Sequence, residues 1–220
     1  MRGKILATIV IVIIAFFAYQ IFAHPANFEK ANAEFVPAYA VQIPEIPNES
    51  IDNYSNNFET ALALCRRVGS YQKNYVQVSN PRAAVLSAAL VMDSKTELEK
   101  AKAVFDYVSG EIKYKLYDNW RTTGEVLETK EGDCTDKSIL LVSMLKNAGI
   151  ESYVVYGKKI EDYSHSWVSA KIEGKWIQMD ATTTGFYYFY ECMQDSNCEN
   201  AKYYSPIGGI FDENSVLKCA

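Results

Sequence analysis

The chain has 220 residues, with 22 lysines and arginines against 27 aspartates and glutamates, for a formal net charge of −5. That length suits one domain with an appendage, and the acidic balance excludes a protein that meets nucleic-acid phosphates with a basic face. Only two histidines are present, His24 and His165, so a multi-histidine metal centre is excluded and no cofactor is called for. Any histidine-dependent chemistry beyond the N-terminal segment falls to His165.

Arg2 and Lys4 precede residues 5–23, a run without a charge whose polar members are Thr8 and Gln20. As a helix it would span about 28 Å, close to the thickness of a bilayer core. Basic residues on its N-terminal side place residue 1 in the cytoplasm and the remainder outside. The alternative is a cleaved signal peptide. Ile21 is a poor match for the small residue wanted two positions before Ala23, whereas Ala31-Asn32-Ala33 fits better but lies about ten residues past the apolar run. Both readings put the domain outside the cytoplasmic membrane, anchored in the first case and secreted in the second. Residues 24–50, with Pro25, Pro37, Pro44 and Pro47 and no sustained period, read as a linker, which leaves residues 51–220 as the domain.

Within the domain, Ile51, Tyr54, Phe58, Leu62 and Cys65 recur at helical spacing, and Arg66 and Arg67 suit a helix C-terminus. Asn80-Pro81 opens a second helix, with an N-cap and a proline at the first position. Ser94 followed by Glu97 reads as a capping box ahead of the stripe Leu98, Ala101, Phe105, Val108 and Ile112. After a turn region, residues 135–148 are helical with Leu141, Leu145 and Ala148 on one face. Gly149 is the stop, and Ile150 supplies the apolar contact beyond it. The period then changes to two. Residues 152–156 form a strand, and 166–172 and 175–179 flank Glu173-Gly174 as a hairpin. Helices first and an antiparallel sheet second make an α+β order.

Gly132-Asp133-Cys134-Thr135-Asp136 sits where a loop becomes a helix. With Asp133 as N-cap and Asp136 three positions on, Cys134 is the first helical residue, over the positive end that favours a nucleophilic, anionic sulfur. Asp136 opposes this slightly by like charge. A two-residue turn at Glu173-Gly174 sets Asp180 opposite Trp167, and His165 shares a face with Trp167. Asp180 is therefore a diagonal neighbour of His165, within reach of a hydrogen bond. The spacing suits an acid that orients an imidazole, which in turn activates a thiol.

The stretch from about Asn80 to Thr183 resembles the transglutaminase-like superfamily of cysteine enzymes. The matching blocks are Asn80-Pro81, Val108 with Ile112 and Tyr114, Gly132-Asp133-Cys134 with Asp136, Ala148-Gly149-Ile150, His165-Ser166-Trp167-Val168, and Trp176-Ile177 followed by Asp180-Ala181-Thr182. The resemblance implies Cys134 as nucleophile, His165 as base and Asp180 as orienter. It also implies a papain-like core in which the Cys-bearing helix packs on the sheet. Members include cross-linking enzymes, proteases, amide-cleaving enzymes and inactive copies. The expected partner is a protein or peptide substrate. The backbone N–H of Cys134 is one natural oxyanion donor. Some relatives use an upstream aromatic N–H, for which Trp120 is the candidate; the plain alternative is that Trp120 packs in its loop.

Four further cysteines remain. An extracytoplasmic domain permits disulfides, and Cys192 with Cys198, flanking a short polar loop, is the favoured pair. Cys65, on an apolar stripe, reads as a free core thiol. The Cys192–Cys198 spacing does not suit zinc. Phe186 to Tyr190 reads as an aromatic core strand, with the lining of a peptide cleft as the alternative.

Overall fold

The computed structural model describes residues 51–70, 74–158, 164–182 and 207–219. The apolar run at 5–23, the linker, the aromatic run at 186–190 and the cysteines at 192 and 198 lie outside them. Among the described residues no helix is long and apolar enough to cross a membrane.

Helix α1 (Ile51–Leu64) carries Phe58, fully buried, and ends one residue before Cys65. The expected helical ending at Arg66 and Arg67 is corrected here: both residues belong to strand β1 (Arg66–Gly69). The physical reason is the disulfide between Cys65 and Cys219. It draws the chain out of the helix and into antiparallel pairing, Arg66 with Lys218 and Arg67 with Leu217. The same bond corrects the reading of Cys65 as a free thiol.

Helix α2 (Pro81–Leu90) starts as expected, with the Asn80 side chain accepting from the Arg82 and Ala83 N–H groups and proline at the first position. Helix α3 (Glu97–Glu111) starts on a different cap from the one expected. Thr96, not Ser94, is the N-cap, and its box partner is Glu99. Glu99 accepts from the Thr96 N–H at 3.1 Å and Thr96 accepts from the Glu99 N–H at 3.1 Å. Both sequences satisfy the same pattern, and the helix takes the later one, with Ala101, Phe105 and Val108 buried. The region expected as a turn holds β2 (Lys113–Tyr114), the short helix α4 (Thr123–Thr129) and β3 (Glu131–Gly132), with β2 and β3 pairing in parallel.

Helix α5 (Cys134–Asn147) is the centre of the molecule. Its residues 135–145 are all buried, because β4 and β5 cover one side and α2, α3 and α4 the other. It stops where the sequence requires. Gly149 has φ 82°, the left-handed region that suits glycine, and Ile150 donates to the Leu145 carbonyl at 2.9 Å. The sheet has the order β1-β8-β7-β4-β5-β6, with β4 (Ser152–Lys158), β5 (Ser164–Ile172), β6 (Lys175–Met179), β7 (Ile207–Phe211) and β8 (Val216–Lys218). The β5–β6 register pairs Ile172 with Lys175 and Val168 with Met179, which continues to Trp167 opposite Asp180. The turn is tight, with φ 51° at Glu173 and 82° at Gly174. The architecture is therefore α+β, with the Cys-bearing helix on an antiparallel sheet. The strands after residue 206 extend that sheet on the β4 side.

Candidate active site

Cys134 stands at the first position of α5, a half-buried free thiol. The Asp133 carboxylate caps the helix, accepting from the Thr135 N–H at 2.9 Å and the Asp136 N–H at 3.1 Å. The helix N-terminus therefore presents its remaining positive end at the sulfur.

His165 comes from the start of β5, and Asp180 lies one residue past β6. The Nε2 atom of His165 lies 2.7 Å from Oδ2 of Asp180, and Cys134 stands near enough to the same ring to favour its charged form. The ring also stacks on Trp167, centroids 6.4 Å apart and planes 20° apart. The three residues singled out in the sequence are thus brought together from the start of α5, the start of β5 and the end of β6. The other oxygen of Asp180 accepts from the Thr182 N–H at 2.9 Å and the Thr182 hydroxyl at 2.6 Å. Both oxygens are held, so the carboxylate cannot rotate away from the imidazole.

The charge balance follows from this packing. Burial disfavours a charged His165, but its hydrogen bond to Asp180 and its interaction with Cys134 outweigh that and push the imidazole up to about 9. Burial would raise Asp180, but the His165 hydrogen bond and charge bring it down to about 2. Around neutral pH the ring is an imidazolium beside a carboxylate.

Four further residues frame this site, of which Lys137 alone lies outside the motifs quoted from the sequence. The Thr135 and Ser166 hydroxyls lie 2.9 Å apart and buried, joining α5 to β5. Lys137 is only 4% exposed and donates to the carbonyls of Ile112 at 2.8 Å and Ser109 at 3.3 Å, which closes the end of α3. Burial lowers it to about 8, while the negative charge of Asp180 works the other way. Asp136 is fully buried and accepts the backbone N–H of Arg121 at 2.8 Å. Burial raises it to about 6. A charged residue three positions from Cys134, on a helix otherwise apolar over two faces, was the one available hint for Lys137.

Trp120 is held by its ring. It stacks on Phe211, centroids 5.4 Å apart and planes 7° apart, and meets the edge of Tyr75 at 5.6 Å. The packing role considered for it in the sequence is therefore present. Among the described residues no group of three or more histidine, cysteine, aspartate or glutamate side chains is placed to hold a metal ion.

Residues 84–181 match the model of the transglutaminase-like superfamily, so the resemblance read from the Cys, His and Asp blocks is shared by an independent comparison. The centrosomal protein of 76 kDa from Danio rerio is 35% identical over 51 residues, which is 23% of this chain and 8% of that protein. Among solved structures, a candidate cysteine protease from Cytophaga hutchinsonii is 17% identical with a TM-score of 0.47, covering 68% of this chain and 53% of its own. LapG from Legionella pneumophila is 14% identical with a TM-score of 0.46, covering 79% of this chain and 90% of its own. This chain thus spans a small part of the curated relative and about half of the Cytophaga protein.

Proposed function

We propose that this chain is a thiol enzyme acting on amide or peptide bonds of proteins, with Cys134 as nucleophile, His165 as acid–base and Asp180 as orienter. The observation that carries the reading is that the imidazole bonded to the Asp180 carboxylate is also close enough to be influenced by Cys134, which starts a helix at its N-terminus. Three such groups meeting by packing alone is a much rarer outcome than a structural cysteine or a capping aspartate taken singly.

In this reading the sulfur attacks a carbonyl carbon, and the carbonyl oxygen becomes an oxyanion beside the helix N-terminus, where the Cys134 N–H is a donor. The thiol proton resides on His165 and passes to the departing amine, leaving a thioester acyl-enzyme. Asp180 fixes the ring tautomer and stabilises the imidazolium throughout. A water molecule, deprotonated by His165, then releases the acid. We place hydrolysis ahead of amine transfer because water is abundant outside the cell and nothing in the chain marks a dedicated amine site. The domain is membrane-tethered through residues 5–23, or secreted if they are cleaved. The Cys65–Cys219 disulfide suits such an oxidising compartment.

The test offers the protein a glutamine-containing protein with a labelled primary amine, in parallel with peptide-cleavage substrates. Cleavage lost in Cys134→Ala supports the hydrolase. Amine incorporation without cleavage makes the chain a cross-linking transglutaminase. Neither activity, with Cys134 inert to alkylation, makes it a binding module that uses the same cleft.

A further inference from the structure

We propose that Asp136 is a positioning residue for acyl transfer: it fastens the 117–122 loop to the first turn of the Cys134 helix, so that both form one rigid wall for the oxyanion. The inference rests on the thiol-enzyme reading above and adds to it a residue that never touches substrate.

The two oxygens of this one carboxylate do two different tasks. Oδ1 accepts the Arg121 N–H at 2.8 Å, and Oδ2 accepts the Asp133 N–H at 3.4 Å. One bond goes to the loop and the other to the residue just before the nucleophile. The side chain packs directly against the backbone of Gly132: a Cβ there would lie 2.6 Å from the Asp136 Cβ, so glycine is what lets Asp136 sit there. The loop itself is stapled on every side. The Arg121 guanidinium donates to the Glu125 carbonyl at 2.8 Å, the Glu131 carbonyl at 2.9 Å and the Thr129 hydroxyl at 2.7 Å. The Tyr117 hydroxyl donates to Glu131 at 2.8 Å, and the Trp120 ring is stacked on Phe211. A helix N-cap needs an acceptor at the third position facing back, and Asp136 meets that need with one oxygen only. The other is spent on a loop fifteen residues upstream. Groups that bind a developing oxyanion lose their effect when displaced by about 1 Å, and Asp136 is the direct link that prevents displacement of loop against helix.

A positioning role in acyl transfer and a role in merely forming the nucleophile are separable with two reagents. Iodoacetamide alkylates Cys134 by displacement of iodide at a saturated carbon, with no oxyanion. p-Nitrophenyl acetate acylates it through one: the sulfur attacks the ester carbonyl, the tetrahedral oxyanion collapses, p-nitrophenolate leaves, and the thiol proton goes to His165 and then to solvent. Alkylation is followed by mass spectrometry of the intact protein, and acylation by the release of p-nitrophenolate, which reads each transfer even when water then removes the acetyl group. Asp136→Leu, near in volume and a good helix former, should slow acylation by about tenfold or more and leave alkylation within about twofold. Asp136→Asn, which keeps an acceptor for the Arg121 N–H, should recover most of the acylation rate. Equal slowing of both reactions, or of neither, overturns the proposal, as does failure of Asn to recover. A wild-type protein that is alkylated at Cys134 but releases p-nitrophenolate no faster than Cys134→Ala overturns both this proposal and the enzymatic reading. Should Asp136→Leu not fold, hydrogen exchange of the unmodified protein reads the bond itself. The Arg121 amide must exchange as slowly as the first-turn amides of α5, and rapid exchange there overturns the proposal.

Discussion

The Thr135 hydroxyl lies 2.9 Å from the Ser166 hydroxyl, and the two neighbours in sequence, Cys134 and His165, belong to the helix and the strand that this contact joins. Neither hydroxyl is exposed enough to exchange its partner for water. The pair therefore fixes the distance between Cys134 and His165. Thr135→Val and Ser166→Ala should each cost about 1 kcal/mol of stability and slow alkylation of Cys134 several-fold at neutral pH. A double-mutant cycle should return a coupling energy well above zero. Strict additivity of the two changes would deny the link.

Asp180→Asn should keep the fold, since Thr182 still finds an acceptor at that position, while turnover falls by roughly three to four orders of magnitude, as when other triads lose the charge of their orienting acid. Circular dichroism and kcat/KM measured on the same sample check this. A loss below tenfold would remove Asp180 from the chemistry.

The same pair makes stability depend on pH. His165 is raised from its usual 6.5 to about 9, so its contribution is complete below about 6.5 and is lost as pH rises through 9. From that difference the contribution is about 3 kcal/mol. Asp180 is lowered from 3.8 to about 2, so the carboxylate's contribution holds above 3.8 and is lost as pH falls through 2. Urea unfolding between pH 6 and 9.5 should show wild-type stability falling across this interval and a flatter profile for Asp180→Asn. Parallel profiles for the two proteins would show that the ion pair does not form.

Much of this site could be read in the sequence because its logic is local. Asp133 and Asp136 announce the start of α5, and the Glu173-Gly174 turn fixes a register that carries Asp180 to His165. What escaped depends on long-range pairing. No periodicity links Cys65 to Cys219 or places β7 beside β4, since those contacts span 154 residues in the first case. Helix α4 is seven residues long, too short for a hydrophobic period to emerge. Thr96 and Ser94 each begin the same capping pattern on paper, so the sequence alone does not choose between them.

The disulfide gives a prediction of its own. It closes a loop of sequence separation 154, for which the chain-entropy model gives about 5 kcal/mol. Cys65→Ser should lower the thermal midpoint clearly while sparing Cys134 alkylation, because the bond ties β1 to β8 at the sheet edge far in the strand order from β5. Non-reduced peptide mapping should find Cys65 linked to Cys219. Recovery of both as free thiols would remove the bond.

The central claim, that His165 and Asp180 activate Cys134, is tested most directly by the rate of Cys134 alkylation at low iodoacetamide, followed by mass spectrometry at neutral pH. Wild type, His165→Ala, Asp180→Asn and Cys134→Ala are compared. The account predicts a rapid single adduct in the wild type, marked slowing in His165→Ala, intermediate slowing in Asp180→Asn and no adduct in Cys134→Ala. Equal rates in the wild type and His165→Ala would contradict it.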